Sequence, residues 1–404
     1  MKSLISKLTT YRFAIKASIV LLAFAVYHPI LWNPFNEGDD RLLILENENV
    51  RSKSFNEVIY YFSHFDHGQY APLNTLVYSI IYHTNGLDPF CFHLLSIAIH
   101  VINTLLVFEF VAQISKGRIY TLFLSTATAA LFCVHPIQVE AIAWISAIKV
   151  LWYSLFFLLS LILYVRYQEE HKGQFYFLSL TTFILSVGFK EQAIIFPFVL
   201  LLLDFMLDKR NIRKLIFEKI PFFVVSISMG VATMLGTDAV TQINTPDNYS
   251  LIQRLILACW ALGSHILNFL VPIRPVSADF PFSIGSQIPP FYYLYVLLLS
   301  FVAWALFNKI RQGSKMTVFG ALFFFFNLIL CLNILPMSRP VLLADRYLYI
   351  PSIGIWLILV NFSMKYIDTK IIKYIFCGIV LSLSVISYWL SVDWNATNAL
   401  LFDK

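Results

Sequence analysis

The chain has 404 residues, of which 59% are hydrophobic and only 13% are charged. A soluble domain carries roughly 25% charged residues, so this composition excludes an ordinary soluble fold and predicts an all-α polytopic membrane protein. The net charge of +6 does not indicate nucleic-acid binding, because the basic residues form short clusters between apolar segments. The five cysteines lie in or beside apolar segments without metal-ligand spacing, which predicts neither a disulfide framework nor a metal centre.

Hydropathy predicts about eleven membrane spans, since each crossing needs about 20 apolar residues. The predicted spans are 12–32, 92–114, 119–135, 141–165, 174–189, 192–208, 217–236, 290–308, 316–335, 346–364 and 371–391. The segment 251–272 is also apolar, but Arg254 and His265 in its interior disfavour a lipid-facing crossing. We expect this segment to lie along or dip into the outer surface; the alternative is that it crosses and another segment does not.

The distribution of Lys and Arg predicts the orientation of the chain, because cytoplasmic loops carry an excess of basic residues. The basic clusters fall on one side if 251–272 does not cross, which places the N-terminus in the cytoplasm. Residues 1–391 then form one membrane domain. The predicted extracytoplasmic segments are 33–90, 135–140, 190–191, 237–289, 336–345 and the tail 392–404. The strong polar clusters of the chain all fall in these segments.

The first extracytoplasmic loop, 33–90, opens on the paired carboxylates Asp39 and Asp40, directly after the first span. Two amphipathic helices are predicted further along this loop. Ser54 is a suitable N-cap for the first, with Glu57 three residues on, and Pro72 suits the first position of the second. We expect both helices to lie on the outer leaflet.

Short blocks of residues, taken in chain order, resemble those of a known family. They are Asp39-Asp40, Tyr70-Ala71-Pro72-Leu73, Gly86-Leu87-Asp88-Pro89-Phe90, His135-Pro136-Ile137-Gln138-Val139-Glu140, Trp144-Ile145-Ser146, Lys190-Glu191, Leu203-Asp204 and Ala344-Asp345-Arg346-Tyr347-Leu348-Tyr349. The ordered set resembles the transmembrane and tetratricopeptide-repeat O-mannosyltransferases and their bacterial relatives, which are membrane glycosyltransferases of the GT-C superfamily.

The resemblance implies a GT-C-like bundle that transfers a sugar, mannose or a similar hexose, from a polyprenyl-phosphate donor to a hydroxyl of a protein or glycan. The site would face the extracytoplasmic side, and a divalent metal is left open without being indicated. The sequence departs from the family at Ala71, where relatives usually carry Arg, and at Ile148 and Val150, which flank Lys149. The tetratricopeptide repeats that usually follow the last span are absent from this sequence.

Under this resemblance, Asp39 or Asp40 acts as general base toward the acceptor hydroxyl, and we prefer Asp39. Fixed positive charge would stabilise the leaving phosphate. The candidate phosphate-binding residues are Lys190, Arg346, Arg339 and His135, and the candidate supporting residues are Glu140, Glu191 and Asp345.

Each candidate also has an ordinary structural interpretation. The aspartates suit a solvated acidic turn, and His135 suits a helix cap before Pro136. Arg346 could pair with Asp345 or Glu191. Two other classes of function also stay open: a transporter of polyprenyl-linked glycans, which should show charges in mid-span, and a membrane scaffold without catalytic activity, which the departures at residues 71, 148 and 150 allow.

Overall fold

The computed structural model describes residues 2–36, 38–51, 55–65, 70–208, 212–238, 249–272, 277–278, 288–334 and 341–394. Over these residues the chain is a helical bundle. Its α-helices are α1 (Lys2–Tyr27), α2 (Phe55–Ser63), α3 (Pro72–Asn85), α4 (Pro89–Ile114), α5 (Thr121–Val134), α6 (Val139–Ala143), α7 (Ile148–Glu170), α8 (Gly173–Phe189), α9 (Phe196–Met206), α10 (Ile212–Asp238), α11 (Leu251–Leu270), α12 (Tyr292–Arg311), α13 (Lys315–Ile329), α14 (Ser352–Tyr366) and α15 (Thr369–Val392).

Short irregular elements connect these helices at one end of the bundle. They are the 3-10 helices His28–Trp32, Glu48–Arg51, Pro136–Gln138, Ile145–Ala147, Glu191–Ile195, Leu330–Leu332 and Asp345–Leu348, together with one π-helical turn at Arg41–Leu45. Strands β1 (Ser277–Ala278) and β2 (Leu343–Ala344) pair antiparallel, a small addition to the predicted all-α fold.

Within the described residues, eight helices are long and apolar enough to cross a membrane, or nine if the pair Thr121–Val134 and Pro136–Ala143, bent by 57°, is one span. The predicted number was about eleven. The criterion is met by α11, which was not among the predicted spans, and α5 meets it only as part of the bent pair. The other predicted spans that fall short are α8, α9 and α14, which have fewer than 18 residues. At one end of the bundle, a 3-10 segment precedes or follows each of these three helices. The polytopic membrane architecture is therefore confirmed, with helices that stop short at one face.

The segment 251–272 forms the 20-residue helix α11, which meets the length and hydropathy that a crossing requires. Its interior His265 is 2% exposed and packs at 6.4 Å from the ring of Tyr347, so this imidazole faces the protein and not lipid. His265 therefore does not argue against a membrane crossing by α11. Whether α11 crosses or dips stays a prediction.

The first loop does carry short helices, α2 and α3, and α3 begins at Pro72 as predicted. The predicted cap at Ser54 lies outside the described residues. The segment 135–140 is not a surface loop, because each of its residues is buried and it is coiled into short helical turns. Irregular backbone at membrane depth is tolerated where protein surrounds it.

One pair of glycines brings two helices into backbone contact. A Cβ atom on Gly320 in α13 would lie 2.6 Å from the carbonyl oxygen of Gly354 in α14. A Cβ on Gly354 would in turn meet the backbone N of Phe324 at 2.9 Å. Small residues allow this kind of close packing between membrane helices, and the contact fixes the start of α14 beside the irregular end of the bundle.

Candidate active site

Asp40 is buried and fully engaged by hydrogen bonds. Its Oδ1 accepts from the backbone N–H of Ser146 at 2.8 Å and from the Ser146 hydroxyl, and its Oδ2 accepts from the N–H of Asn36 at 2.9 Å. The residue is 1% exposed, and this burial raises its pKa although the three hydrogen bonds lower it. Asp40 therefore joins the first loop to the segment before α7, and its carboxylate has little capacity left to bind a substrate.

Asp39 differs from its neighbour, because it is only partly buried. Its neighbour Asp40 is bonded to Ser146, two residues beyond Trp144, whose ring lies 4.7 Å from the Arg346 guanidinium. The charge of Asp39 makes a small contribution to raising the pKa of Arg346. The structure thus brings together one half of the predicted acidic pair and one of the predicted cations, although 300 residues separate them in the chain. A partly exposed carboxylate beside a fixed positive charge has the arrangement that proton transfer near an anionic leaving group requires.

Arg346 is held from three sides. Its guanidinium forms an ion pair with Glu140, whose Oε2 also accepts from the backbone N–H of Arg346 at 2.6 Å. Its Cζ lies 4.7 Å from the ring centroid of Trp144 and 5.2 Å from that of Tyr347. Burial lowers the pKa of Arg346, but the charges of Glu140 and Asp39 raise it, with a net rise. The guanidinium is thereby preorganised.

The predicted pairing of Arg346 with Asp345 or Glu191 is not what the structure shows, because Glu140 takes this role. Asp345 instead accepts a hydrogen bond from the Nδ2 of Asn268, near the end of α11. Strand β2, which ends at Ala344, pairs with β1. The segment 343–346 is therefore the point where α11, the loop containing β1, and Glu140 meet.

His135 is buried at 1% exposure with both ring nitrogens in use. Its Nδ1 accepts from the N–H of Ile137 at 3.3 Å, so its Nε2 carries the proton and donates to the carbonyl of Phe269 at 3.0 Å. The imidazole also stacks on the Phe269 ring with centroids 4.6 Å apart. This geometry agrees with the helix-cap alternative, and it leaves neither nitrogen available to a phosphate.

Lys190 follows α8 and is 7% exposed. Helix α3 is hydrogen-bonded both to the segment just before Lys190 and to the segment that binds Asp40. The Nδ2 of Asn74 donates to the carbonyl of Phe189 at 2.9 Å, and the hydroxyl of Tyr78 donates to the carbonyl of Ser146 at 3.4 Å. Residues four apart share a helix face about 6 Å apart along the axis. The segment that carries Lys190 therefore lies beside the one that binds Asp40, one helical turn away.

Two predicted residues add less to the site. Glu191 opens the 3-10 helix Glu191–Ile195 and is partly buried, and Arg339 lies outside the described residues. Among the described residues there is no group of three or more metal-ligating side chains. Asn268 and Phe269 were not predicted to belong to the site, because both lie in the segment whose crossing was in doubt. Trp144 and Ser146 stood in a family block without an assigned role.

Comparison with known proteins gives this geometry a context. A relative from Caenorhabditis elegans, named a protein O-mannosyl-transferase, is 25% identical over 342 residues, which is 81% of this chain and 46% of the relative. The protein O-mannosyl-transferase tmtc2 of Xenopus laevis is 30% identical over 219 residues, 50% of this chain and 25% of the relative. This chain is similar to the TMTC protein O-mannosyl-transferases. The family resemblance inferred from the residue blocks is thereby confirmed.

Human TMTC4, also named a protein O-mannosyl-transferase, is 25% identical over 357 residues, covering 72% of this chain and 46% of its own length. No protein-family model matches the chain. The chain spans about half or less of the length of the TMTC relatives it matches. The similarity covers 81% of this chain for the Caenorhabditis elegans relative and 72% for human TMTC4.

Proposed function

We propose that this protein is a membrane glycosyltransferase of the GT-C type that transfers a hexose, mannose in the first instance, from a polyprenyl-phosphate donor to a hydroxyl group of a protein. A glycan hydroxyl is the alternative acceptor. The single observation that carries the proposal is the convergence of Asp39 and the Glu140-held Arg346 at the irregular end of the bundle. The TMTC relatives named as protein O-mannosyl-transferases support the same reaction class.

In the proposed reaction the acceptor oxygen attacks the anomeric carbon of the donor sugar. The bond between that carbon and the phosphate oxygen breaks, and the polyprenyl phosphate leaves with the electron pair. Asp39 takes the proton of the acceptor hydroxyl, a contribution of about 10²–10⁴-fold for a positioned base. Arg346, with Lys190 on the neighbouring segment, stabilises the negative charge on the leaving phosphate.

The two aspartates have different roles in this proposal. Asp39 acts on the acceptor, whereas Asp40 positions Asp39 by tying residues 36–40 to Ser146. Glu140 positions Arg346 in the same way, because it holds both the guanidinium and the backbone. We place the site on the extracytoplasmic side, in keeping with the distribution of basic residues in the loops, with the N-terminus in the cytoplasm and the C-terminus outside.

The test is a transfer assay with membranes, a polyprenyl-phosphate sugar labelled in the sugar, and a protein acceptor. We expect Asp39→Asn to insert and fold normally and to lower the transfer rate by about 10²–10⁴-fold. Asp88→Asn is the matched control, because Asp88 is an exposed carboxylate that caps α4 by accepting a hydrogen bond from the N–H of Phe90 at 3.0 Å. Wild-type transfer by the Asp39 variant would remove the base assignment.

A further inference from the structure

A cleft lined by several cationic side chains lies at the opposite end of the bundle from Asp39 and Arg346. Helix α5 ends and α14 begins beside the candidate site, so the start of α5 and the end of α14 lie at the far membrane face. The cleft there has a volume of about 520 Å³ and is lined by residues of the α4–α5 loop, α12, α13 and α14. None of these lining residues takes part in the proposed transfer reaction.

Four cationic side chains line this cleft, namely Arg118, Lys309, Lys315 and Lys365, and none of its lining residues is a carboxylate. They come from four different segments of the chain, so their convergence is a product of the fold. The ammonium of Lys315 contacts Asp208, which lies outside the lining, and that of Lys309 donates to Gln312 at 3.0 Å. The net charge of the cleft remains strongly positive, which favours an anion.

The first turn of α13 also lines the cleft, with Ser314, Lys315, Met316 and Thr317. The N-terminus of a helix carries partial positive charge and N–H groups without partners in the helix. This electrostatic contribution has the same sign as that of the four basic side chains. The cleft therefore combines three ammonium groups, a guanidinium and a helix terminus around one volume, which together suit a phosphate group.

An apolar groove adjoins the cationic cleft and identifies the kind of phosphate compound that fits. The groove measures about 480 Å³ and shares Ile119, Tyr120 and Met364 with the cleft. Its other lining residues are mainly apolar and include Ile15, Phe123 and Ile372. Ile119 is 92% exposed at the junction of the two spaces, where an apolar side chain in contact with water would be costly but one in contact with lipid would not.

We propose that the cleft and groove together bind one anionic phospholipid, whose phosphate headgroup lies among Arg118, Lys309, Lys315 and Lys365 and whose acyl chain lies in the groove. Basic residues at a membrane face set topology in many proteins, but that role needs neither a cleft nor an adjoining apolar groove. The proposal does not depend on the transferase activity, because no residue of the candidate site is involved.

The experiment measures lipid retention by native mass spectrometry of the full chain purified in detergent. The probes are phosphatidylglycerol, phosphatidylcholine with the same acyl chains, and glycerol 3-phosphate as the headgroup chemistry without a chain. We expect one phosphatidylglycerol molecule to be retained in preference to phosphatidylcholine. Arg118→Gln combined with Lys365→Gln should weaken this retention by at least about tenfold, because each basic residue near an anionic lipid surface contributes measurably.

The matched control combines Lys172→Gln with Lys370→Gln, two exposed lysines of the same membrane face that line neither space. This control should retain phosphatidylglycerol as the wild type does. Thr126→Trp, which fills the groove, should lower lipid retention without changing the headgroup cations. Equal retention by the cleft variant and the control would overturn the proposal, as would competition by glycerol 3-phosphate that matches the lipid, since a soluble phosphate would then be the ligand.

Discussion

Two buried acid–base pairs lie at opposite ends of the bundle, and they differ in their surroundings. Asp204 in α9 pairs with Lys219 in α10, with side chains 3% and 1% exposed. The Tyr164 hydroxyl donates to the Oδ1 of Asp204 at 2.8 Å and accepts from Lys219 and from Gln168. Glu218 extends this network, because its carboxylate accepts from the Tyr167 hydroxyl at 2.6 Å and from Gln168 at 3.1 Å.

The pair of Glu140 and Arg346 is as well connected, yet it lies among irregular segments and beside the partly exposed Asp39. Burial and pairing alone therefore do not distinguish a functional ion pair from a structural one. The distinguishing feature is a third charged group that solvent and substrate can reach. In the cluster around Asp204 the third charged group is Glu218, whose side chain is 10% exposed and already accepts hydrogen bonds from Tyr167 and Gln168.

The largest expected effect is on the transfer rate, and it distinguishes the Glu140–Arg346 pair from the Asp204–Lys219 pair. Arg346→Lys should lower the transfer rate by about 10²–10³-fold, the usual loss when one stabilising donor is removed, with little change in folding. Lysine keeps the charge but lacks the planar guanidinium that can bind Glu140 and a phosphate together. Initial rates per folded protein provide the measurement. Arg41→Lys is the control, because Arg41 lies two residues after Asp39 and pairs with the exposed Glu46. An unimpaired Arg346→Lys enzyme would contradict the proposed phosphate contact.

The second effect is on stability. Lys219→Ala leaves the buried Asp204 without its cation and should cost about 3–5 kcal/mol in the free energy of unfolding. The double variant Asp204→Leu with Lys219→Met should recover most of that loss, since an apolar replacement of a buried ion pair is often neutral. Denaturant unfolding of the detergent-solubilised protein measures both. If the double variant folded but had lost transfer, the Asp204 pair would belong to the functional machinery.

The smallest effect is a protonation step at Asp40. Burial raises its pKa, so on acidification it should take up a proton at a higher pH than an ordinary aspartate, whose pKa is about 3.9. Because the unfolded chain releases this proton more readily, the contribution of Asp40 to stability falls as pH rises from the unfolded-state pKa to the raised one.

Infrared difference spectroscopy can follow this step through the C=O stretch of the neutral carboxyl group. The band should appear early in an acid titration of the wild type and of Asp39→Asn, and it should be missing from Asp40→Asn. A titration indistinguishable among the three proteins would show that Asp40 is not the buried carboxyl group described above.

The sequence allowed the helical membrane fold to be predicted because hydropathy over about 20 residues is a strong local signal. Hydropathy predicted about eleven spans, whereas eight or nine helices meet the length criterion. Helices α9 and α14, near residues 190 and 345, are shorter than predicted, because tertiary contacts there favour irregular backbone over helix. The capping role of His135 was one of two open interpretations, and only the position of Phe269 decided between them.

The partnership of Glu140 and Arg346 could not be predicted from spacing, since they are 206 positions apart in the chain and neighbours in sequence offered simpler partners. The hydrogen bond of Asn268 could not be predicted for a related reason. An amide near the end of an apolar helix carries no periodic signal, and its bond to Asp345 depends on where that helix packs. The block pattern identified which segments meet, but it did not assign partners within them.

Helix α3 sets the distance between two segments of the site, because Asn74 is hydrogen-bonded to one segment and Tyr78 to the other. An α-helix turns by about 100° for each residue. One residue inserted between these two would therefore swing one side chain away from its carbonyl while leaving the other in place. The spacing between the lysine-bearing segment and the serine-bearing segment is thus set by the four-residue interval between Asn74 and Tyr78 in this buried part of the helix, so an insertion there would change the geometry of the candidate site.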